Sequence, residues 1–262
     1  MLRTRALSSL VLAPPALAAV WVGGLAFAAL VALAVAIMCW EWHTIVSKRF
    51  DLAGRVAAAG CALAALLTLV QPLLAVPLVI GAAIASTALS PGRTENAHLW
   101  AGFGALYAGV PSVALVWLET DPAWGRATIL WLLLVVWATD IGAYAFGRMI
   151  GGPKLMPAVS PKKTWAGLLG GMLCAGLVGL GVALVLGLAG VAGFAVGSAL
   201  LAVVAQAGDL FESWIKRRYD VKDSSNIIPG HGGVLDRVDG LLTVAVAVAI
   251  ATWASGAPVL SW

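Results

Sequence analysis

Charge is missing from this chain over lengths that a water-soluble fold does not tolerate. No Asp, Glu, Lys or Arg occurs between Ala6 and Trp40, between Val56 and Gly92, or between Thr164 and Gly208. Only 11% of the 262 residues are charged, whereas 61% are hydrophobic. A soluble domain is about 25% charged and about 45–50% apolar. So few charges cannot cover a folded surface in water. An ordinary soluble enzyme, a disordered protein and a disulfide scaffold are excluded, and a membrane-embedded protein remains. One span takes roughly 20 residues, so nine consume about 180. Loops are left over, but no separate soluble domain. Any functional site must sit in the spans and their connections.

The apolar runs parse into spans at residues 7–22, 25–40, 53–70, 73–89, 99–118, 126–147, 164–187, 190–211 and 236–254. Arg3, Arg5 and Ala16-Leu17-Ala18 imitate a signal peptide, but the apolar stretch continues to Trp40. Pro14 and Pro15 predict a kink in the first span, and Gly23-Gly24 a tight turn after it. Gly167, Gly170, Gly171 and Gly176 predict close helix packing. The residues around Gly151, Gly152, Pro153, Pro157 and Pro161 are expected to form a loop, and a long polar stretch is expected from Glu212 to Gly233. Cys39, Cys61 and Cys174 lie in apolar segments without metal-type spacing and read as small buried hydrophobes.

The expected fold class is therefore all-α, a polytopic integral membrane protein of about nine transmembrane helices. With a cytoplasmic N-terminus, all of the 16 Lys and Arg except Arg126 fall on the inside. That is the asymmetry of the positive-inside rule. It places the C-terminus on the outer side, in a multi-pass protein of the inner membrane. It also accounts for the net charge of +4 without nucleic acid. Residues 1–98 form four N-terminal spans, and residues 99–262 hold the remaining five with the polar loops.

Several polar residues are expensive where they stand. Asp140 lies inside the sixth span, where an ionisable group costs about 2.5–3.5 kcal/mol or more. Asp209 and Glu212 share one helical face, joined by Ser213 and Lys216. Asp236 and Asp239 share another face at the start of the ninth span. Helix-start carboxylates are favoured by the dipole alone. Several carboxylates converging at one depth, however, require a cation, and oxygen ligands suit Mg²⁺. Between these faces lie Lys216, Arg217, Arg218 and Lys222. A second basic segment holds Lys154, Ser160, Lys162, Lys163 and Thr164 directly before a helix. Topology control and anionic lipid explain part of both. A hydroxyl, ammonium groups and helix amides also suit phosphate. Gly230, His231, Gly232 and Gly233 add accessible backbone amides. Acidic metal ligands beside basic phosphate clamps point to phosphoryl or nucleotidyl transfer between a lipid and a soluble substrate.

Ser213-x-x-Lys216-Arg217, Lys222-Asp223, His231-Gly232-Gly233 and Asp236-Arg237-x-Asp239 together resemble the motif of the phosphatidate cytidylyltransferase (CDP-diacylglycerol synthase) family. Asp140-Ile-Gly-Ala-Tyr144, Ser160-Pro-Lys-Lys-Thr164 and Gly208-Asp209 resemble it too. The resemblance covers about residues 100–250; the N-terminal third matches only in being hydrophobic. Ala166 stands where the family often has Glu.

The resemblance implies the reaction CTP + phosphatidate → CDP-diacylglycerol + pyrophosphate, at a two-metal centre with Mg²⁺ and a second ion open to being monovalent. Carried over, Asp209, Asp236 and Asp239 are the principal metal carboxylates, with Asp140 lining the polar cavity. Lys216, Arg217, Lys222, Asp223, His231 and Arg237 are the catalytic candidates. Ser160, Lys162, Lys163, Thr164, Ser213, Gly232 and Gly233 are the substrate-binding candidates. The partners are CTP, phosphatidate and the bilayer, with no nucleic acid, and a homodimer is compatible with the sequence. Two alternatives stay open: a CTP-dependent polyprenol or phytol kinase, and an ion-coupled transporter using Asp140 and Asp209 as a relay. The lack of an inverted repeat argues against the transporter.

Overall fold

The structure is a computed structural model that describes residues 13–91, 96–230 and 232–262. The described chain is almost entirely helical: α1 (Ala13–Val22), α2 (Gly24–Ser47), α3 (Leu52–Leu67), α4 (Pro72–Leu89), α5 (Ala97–Glu119), α6 (Gly125–Met149), α7 (Trp165–Leu186), α8 (Val191–Arg218) and α9 (Leu235–Ser255). All but α1 and α3 are long and apolar enough to cross a bilayer, which makes seven candidate spans. This is an all-α polytopic membrane protein. Residues 7–12 of the first expected span lie outside the described residues. Pro14 and Pro15 sit in the first described turn of α1, and Gly23 breaks the chain between α1 and α2 with φ 71°.

Three segments depart from the sequence expectation. Helix α2 continues to Ser47 instead of ending at Trp40. Helix α8 continues to Arg218, taking in seven residues assigned to the polar stretch. Its 28 residues extend roughly 42 Å, well beyond a hydrocarbon core of about 30 Å, so its basic end reaches polar surroundings. The Gly- and Pro-rich connection after α6 forms a small antiparallel hairpin, β1 (Lys154–Met156) with β2 (Ser160–Thr164), pairing Lys154 with Thr164 and Met156 with Ser160.

The chain divides into two compact units. The first comprises residues 1–122 and 218–238. Here α2 packs on α3 and α5, and α4 packs on α3 and α5. Trp42 is fully buried and its indole N–H donates to the Trp100 carbonyl at 2.7 Å. Its ring lies 5.2 Å from that of Tyr107 and 5.9 Å from that of Phe103. Gly104 leaves room for this indole, because a Cβ there would collide with it.

The second unit comprises residues 123–217 and 239–262. Helices α6 and α7 meet through glycines. A Cβ on Gly142 would lie 2.7 Å from the Gly170 carbonyl, and one on Gly171 would lie 2.9 Å from the Thr139 carbonyl. Backbones this close gain dispersion contact that lipid cannot replace. Gly167, Gly170 and Gly171 thus pack as expected, whereas Gly176 faces Ala195 and Ala199 at looser distances of 3.4 and 3.5 Å. Thr243 on α9 donates to the Val204 carbonyl of α8 at 3.1 Å. The three cysteines are free.

Candidate functional site

In the second unit, polar groups lie on α6, β2, α8 and, with Asp239, α9. Asp209 and Glu212 lie on one face of α8, as their spacing requires. Lys163, at the end of β2, places its ammonium 2.6 Å from Asp209 Oδ2. Ser213 donates its hydroxyl to Asp209 Oδ1 at 3.3 Å. One turn on, Lys216 donates to Glu212 Oε2 at 2.7 Å. Glu212 is 1% exposed and Lys216 is 9% exposed, so this is a buried pair whose partners neutralise each other. Asp239 is in direct Coulombic range of Asp209, Glu212 and Asp140. These carboxylates share one electrostatic neighbourhood, without three of them lying close enough to form a metal cage by themselves. Asp140 is exposed on the surface of α6.

The hairpin presents its residues unevenly. Lys162 is exposed, Ser160 is half-buried and Thr164 is buried. Thr164 caps α7, its hydroxyl accepting from the Gly167 N–H at 3.0 Å. Its extended backbone and short oxygen-bearing side chain are what an N-cap needs. Arg217 is exposed at the end of α8.

In the first unit, residues 219–230 and 232–234 belong to the loop that leads into α9. Lys222, Asp223 and Arg237 are exposed. Asp236 Oδ2 accepts from the Ser224 N–H at 2.8 Å, the Ser224 hydroxyl at 2.8 Å and the Gly233 N–H at 2.7 Å. The Ile228 N–H donates to the Gly232 carbonyl at 2.9 Å, folding the loop back on itself. Gly232 has φ +84°, a conformation that L side chains rarely adopt. Gly233 is a glycine for a different reason: a Cβ there would strike the Ser224 hydroxyl and the Glu41 carboxylate. His231 lies outside the described residues.

Glu41 was not among the residues singled out by sequence. It is fully buried in α2. Its Oε1 accepts from the Ser225 hydroxyl at 2.7 Å and the Val234 N–H at 2.8 Å, and its Oε2 from the Leu235 N–H at 2.7 Å. The available signal was a carboxylate flanked by apolar residues at the end of a long uncharged run. Glu41 lies just past the expected end of the span at Trp40, whereas α2 continues to Ser47.

Among the described residues, no group of three His, Cys, Asp or Glu forms a ready-made metal cage. The donor chemistry still fits Mg²⁺. That ion prefers hard oxygen ligands and is commonly held by one or two carboxylates, with water and substrate phosphates completing the octahedron. In the second unit Asp209 and Asp239 supply such carboxylates, with Lys163 already offsetting part of the negative charge.

A family model described as the cytidylyltransferase family matches residues 3–254. A phosphatidate cytidylyltransferase of Brucella suis is 40% identical over 246 residues, covering 93% of this chain and 90% of that protein. One from Pseudomonas aeruginosa is 35% identical over 280 residues, covering 98% of each. One from Haemophilus influenzae is 42% identical over 144 residues, about half of each chain.

Proposed function

This chain belongs to the cytidylyltransferase family, and we propose that its reaction is CTP + phosphatidate → CDP-diacylglycerol + pyrophosphate. It is a nucleotidyltransferase of phospholipid synthesis built from membrane helices. The observation that carries the reading is that relatives named for this activity align over almost the whole chain. The charge distribution is consistent with it. Of the charged residues, 11 fall between Asp209 and Asp239 and five between Asp140 and Lys163. We place these segments at the cytoplasmic face of the inner membrane, where CTP is available and acyl chains can stay in the bilayer.

The transfer joins a phosphatidate phosphate oxygen to the α-phosphorus of CTP and breaks the bond to the β-phosphate oxygen. The nucleophile is already an anion, so no strong general base is needed. The difficulty is bringing two polyanions together. Exposed Lys162 and Arg217 in the second unit, and exposed Lys222 and Arg237 in the first, each offer cations for phosphate oxygens, and Arg can do so bidentately. Lys163 is held in place by Asp209. Lys216 keeps buried Glu212 neutralised and so sets the charge beside Asp209. Asp209 and Asp239 would hold Mg²⁺, with Asp140 adding negative potential. Such an ion, when bound, supplies Lewis-acid stabilisation of charge on the transferring phosphates. The motif also assigns Asp236 to the metal. Its Oδ2 serves three donors of its own loop, and we assign it to shaping that loop. Asp223 and His231 remain our catalytic candidates, and Ser160, Ser213 and Gly232 our substrate-binding ones; the Gly233 N–H already serves Asp236, and we assign Gly233 to the packing of the loop.

The test is purified protein with labelled CTP, phosphatidate and Mg²⁺, with and without chelator. Labelled CDP-diacylglycerol that disappears with chelator is expected. Asp239→Asn should abolish turnover in protein that still inserts and folds; normal turnover in that variant would sink the metal assignment.

A further inference from the structure

A buried carboxylate is tolerated only when donors replace its lost water. Glu41 has three, and two are the backbone N–H groups of Val234 and Leu235 at the start of α9. Those amides are among the donors that a helix leaves unsatisfied at its N-terminus, where the dipole favours negative charge. A helix usually meets this need with its own N-cap side chain. Here the residues before Leu235 are Gly232, Gly233 and Val234, and the cap arrives from α2, more than 190 positions earlier in the chain.

Glu41 and Asp236 divide the work. Gly233 donates to Asp236, whereas Val234 and Leu235 donate to Glu41. Ser224 donates to Asp236 and Ser225 to Glu41. Three successive amides and two successive serines are thus shared between two carboxylates, and the loop from 224 to 236 is closed at both ends. Gly233 sits between Ser224 and Glu41 with no room for a Cβ.

We propose that Glu41 is a positioning residue for the transfer reaction: it locks the loop that carries Lys222, Asp223, Gly232 and Arg237 in its working conformation. The proposal rests on the cytidylyltransfer reading for its catalytic consequence and on geometry alone for the loop.

The test uses the full-length protein in lipid nanodiscs. CDP-diacylglycerol formation is measured alongside hydrogen exchange of peptides covering residues 222–239. Glu41→Gln keeps the shape but turns an NH₂ toward groups that are themselves donors. It should lower kcat about tenfold or more, the population that the productive loop conformation loses when one charge-assisted hydrogen bond goes. It should also speed exchange in 222–239 while α3–α5 peptides keep their protection. Ser225→Ala removes one donor and should give the same pattern more weakly. Its effect combined with Glu41→Gln should be smaller than the product of the single effects. Ser86→Ala breaks a buried contact between α4 and His43 of α2. It should lower the thermal midpoint without either change. If Glu41→Gln does not fold, Ser225→Ala decides alone. Unchanged kcat and unchanged exchange in a folded variant overturn the proposal, as does faster exchange spread over all helices with kcat retained. If the wild type makes no CDP-diacylglycerol, the functional reading fails, and the exchange data still decide whether Glu41 holds the loop.

Discussion

Gly233→Ala adds a single carbon where the loop before α9 has no space. The new Cβ would overlap the Ser224 hydroxyl and the Glu41 Oε1, and would lie 2.6 Å from the Glu41 carboxyl carbon. Neither neighbour can withdraw freely. Ser224 is tied to Asp236, and Glu41 is tied to Ser225, Val234 and Leu235. Inserting one carbon into such packing costs about 1–3 kcal/mol. Because every 1.4 kcal/mol is a factor of ten, the productive loop conformation should lose about 5- to 150-fold in population relative to displaced ones. The assay is CDP-diacylglycerol formation by purified Gly233→Ala beside Gly197→Ala. Gly197 lies in α8 and a Cβ there meets nothing within 4 Å. We expect activity to fall at least severalfold in the first variant and to stay unchanged in the second. Full activity in Gly233→Ala, at wild-type thermal stability, would refute the steric reasoning. So would equal losses in both variants.

Two further outcomes follow from the second unit. Thr164→Ala removes the cap of α7 and should cost about 1 kcal/mol of stability, with Thr164→Ser close to wild type; a large rise in KM for CTP at unchanged stability would instead mean that the hydroxyl binds substrate. Lys216→Met should destabilise the protein by about 3–5 kcal/mol, because it strands the buried Glu212 charge; adding Glu212→Gln should recover much of that loss, as read from thermal unfolding in detergent.

The helices were legible in sequence because uncharged apolar runs of span length have few other uses. Their ends were less so. The expected span stops at Trp40, just before Glu41 and His43, and ionisable groups rarely lie inside a span. Both instead find partners within the protein, His43 through the Cys39 carbonyl at 2.9 Å and the Ser86 hydroxyl at 3.1 Å. The hairpin was hidden because three- and five-residue strands rich in Lys and Pro carry no alternation. Local spacing revealed the Asp209–Glu212 face and the Ser213 contact, which are consequences of helical geometry. It did not reveal the Lys163–Asp209 pair, in which a strand meets a helix 46 positions later. Nor did it reveal Glu41, whose donors follow it by more than 180 positions. By its place before a helix, Thr164 suits a phosphate ligand. The same place suits the cap that it forms.

The central claim is that this chain transfers a cytidylyl group to a lipid phosphate. The most direct measurement gives the purified protein phosphatidate, Mg²⁺ and CTP labelled at either the α- or the γ-phosphate. Cytidylyl transfer requires that the α label enter the lipid and the γ label leave in pyrophosphate. A γ label in the lipid with release of CDP, or no label in the lipid at all, would contradict the account.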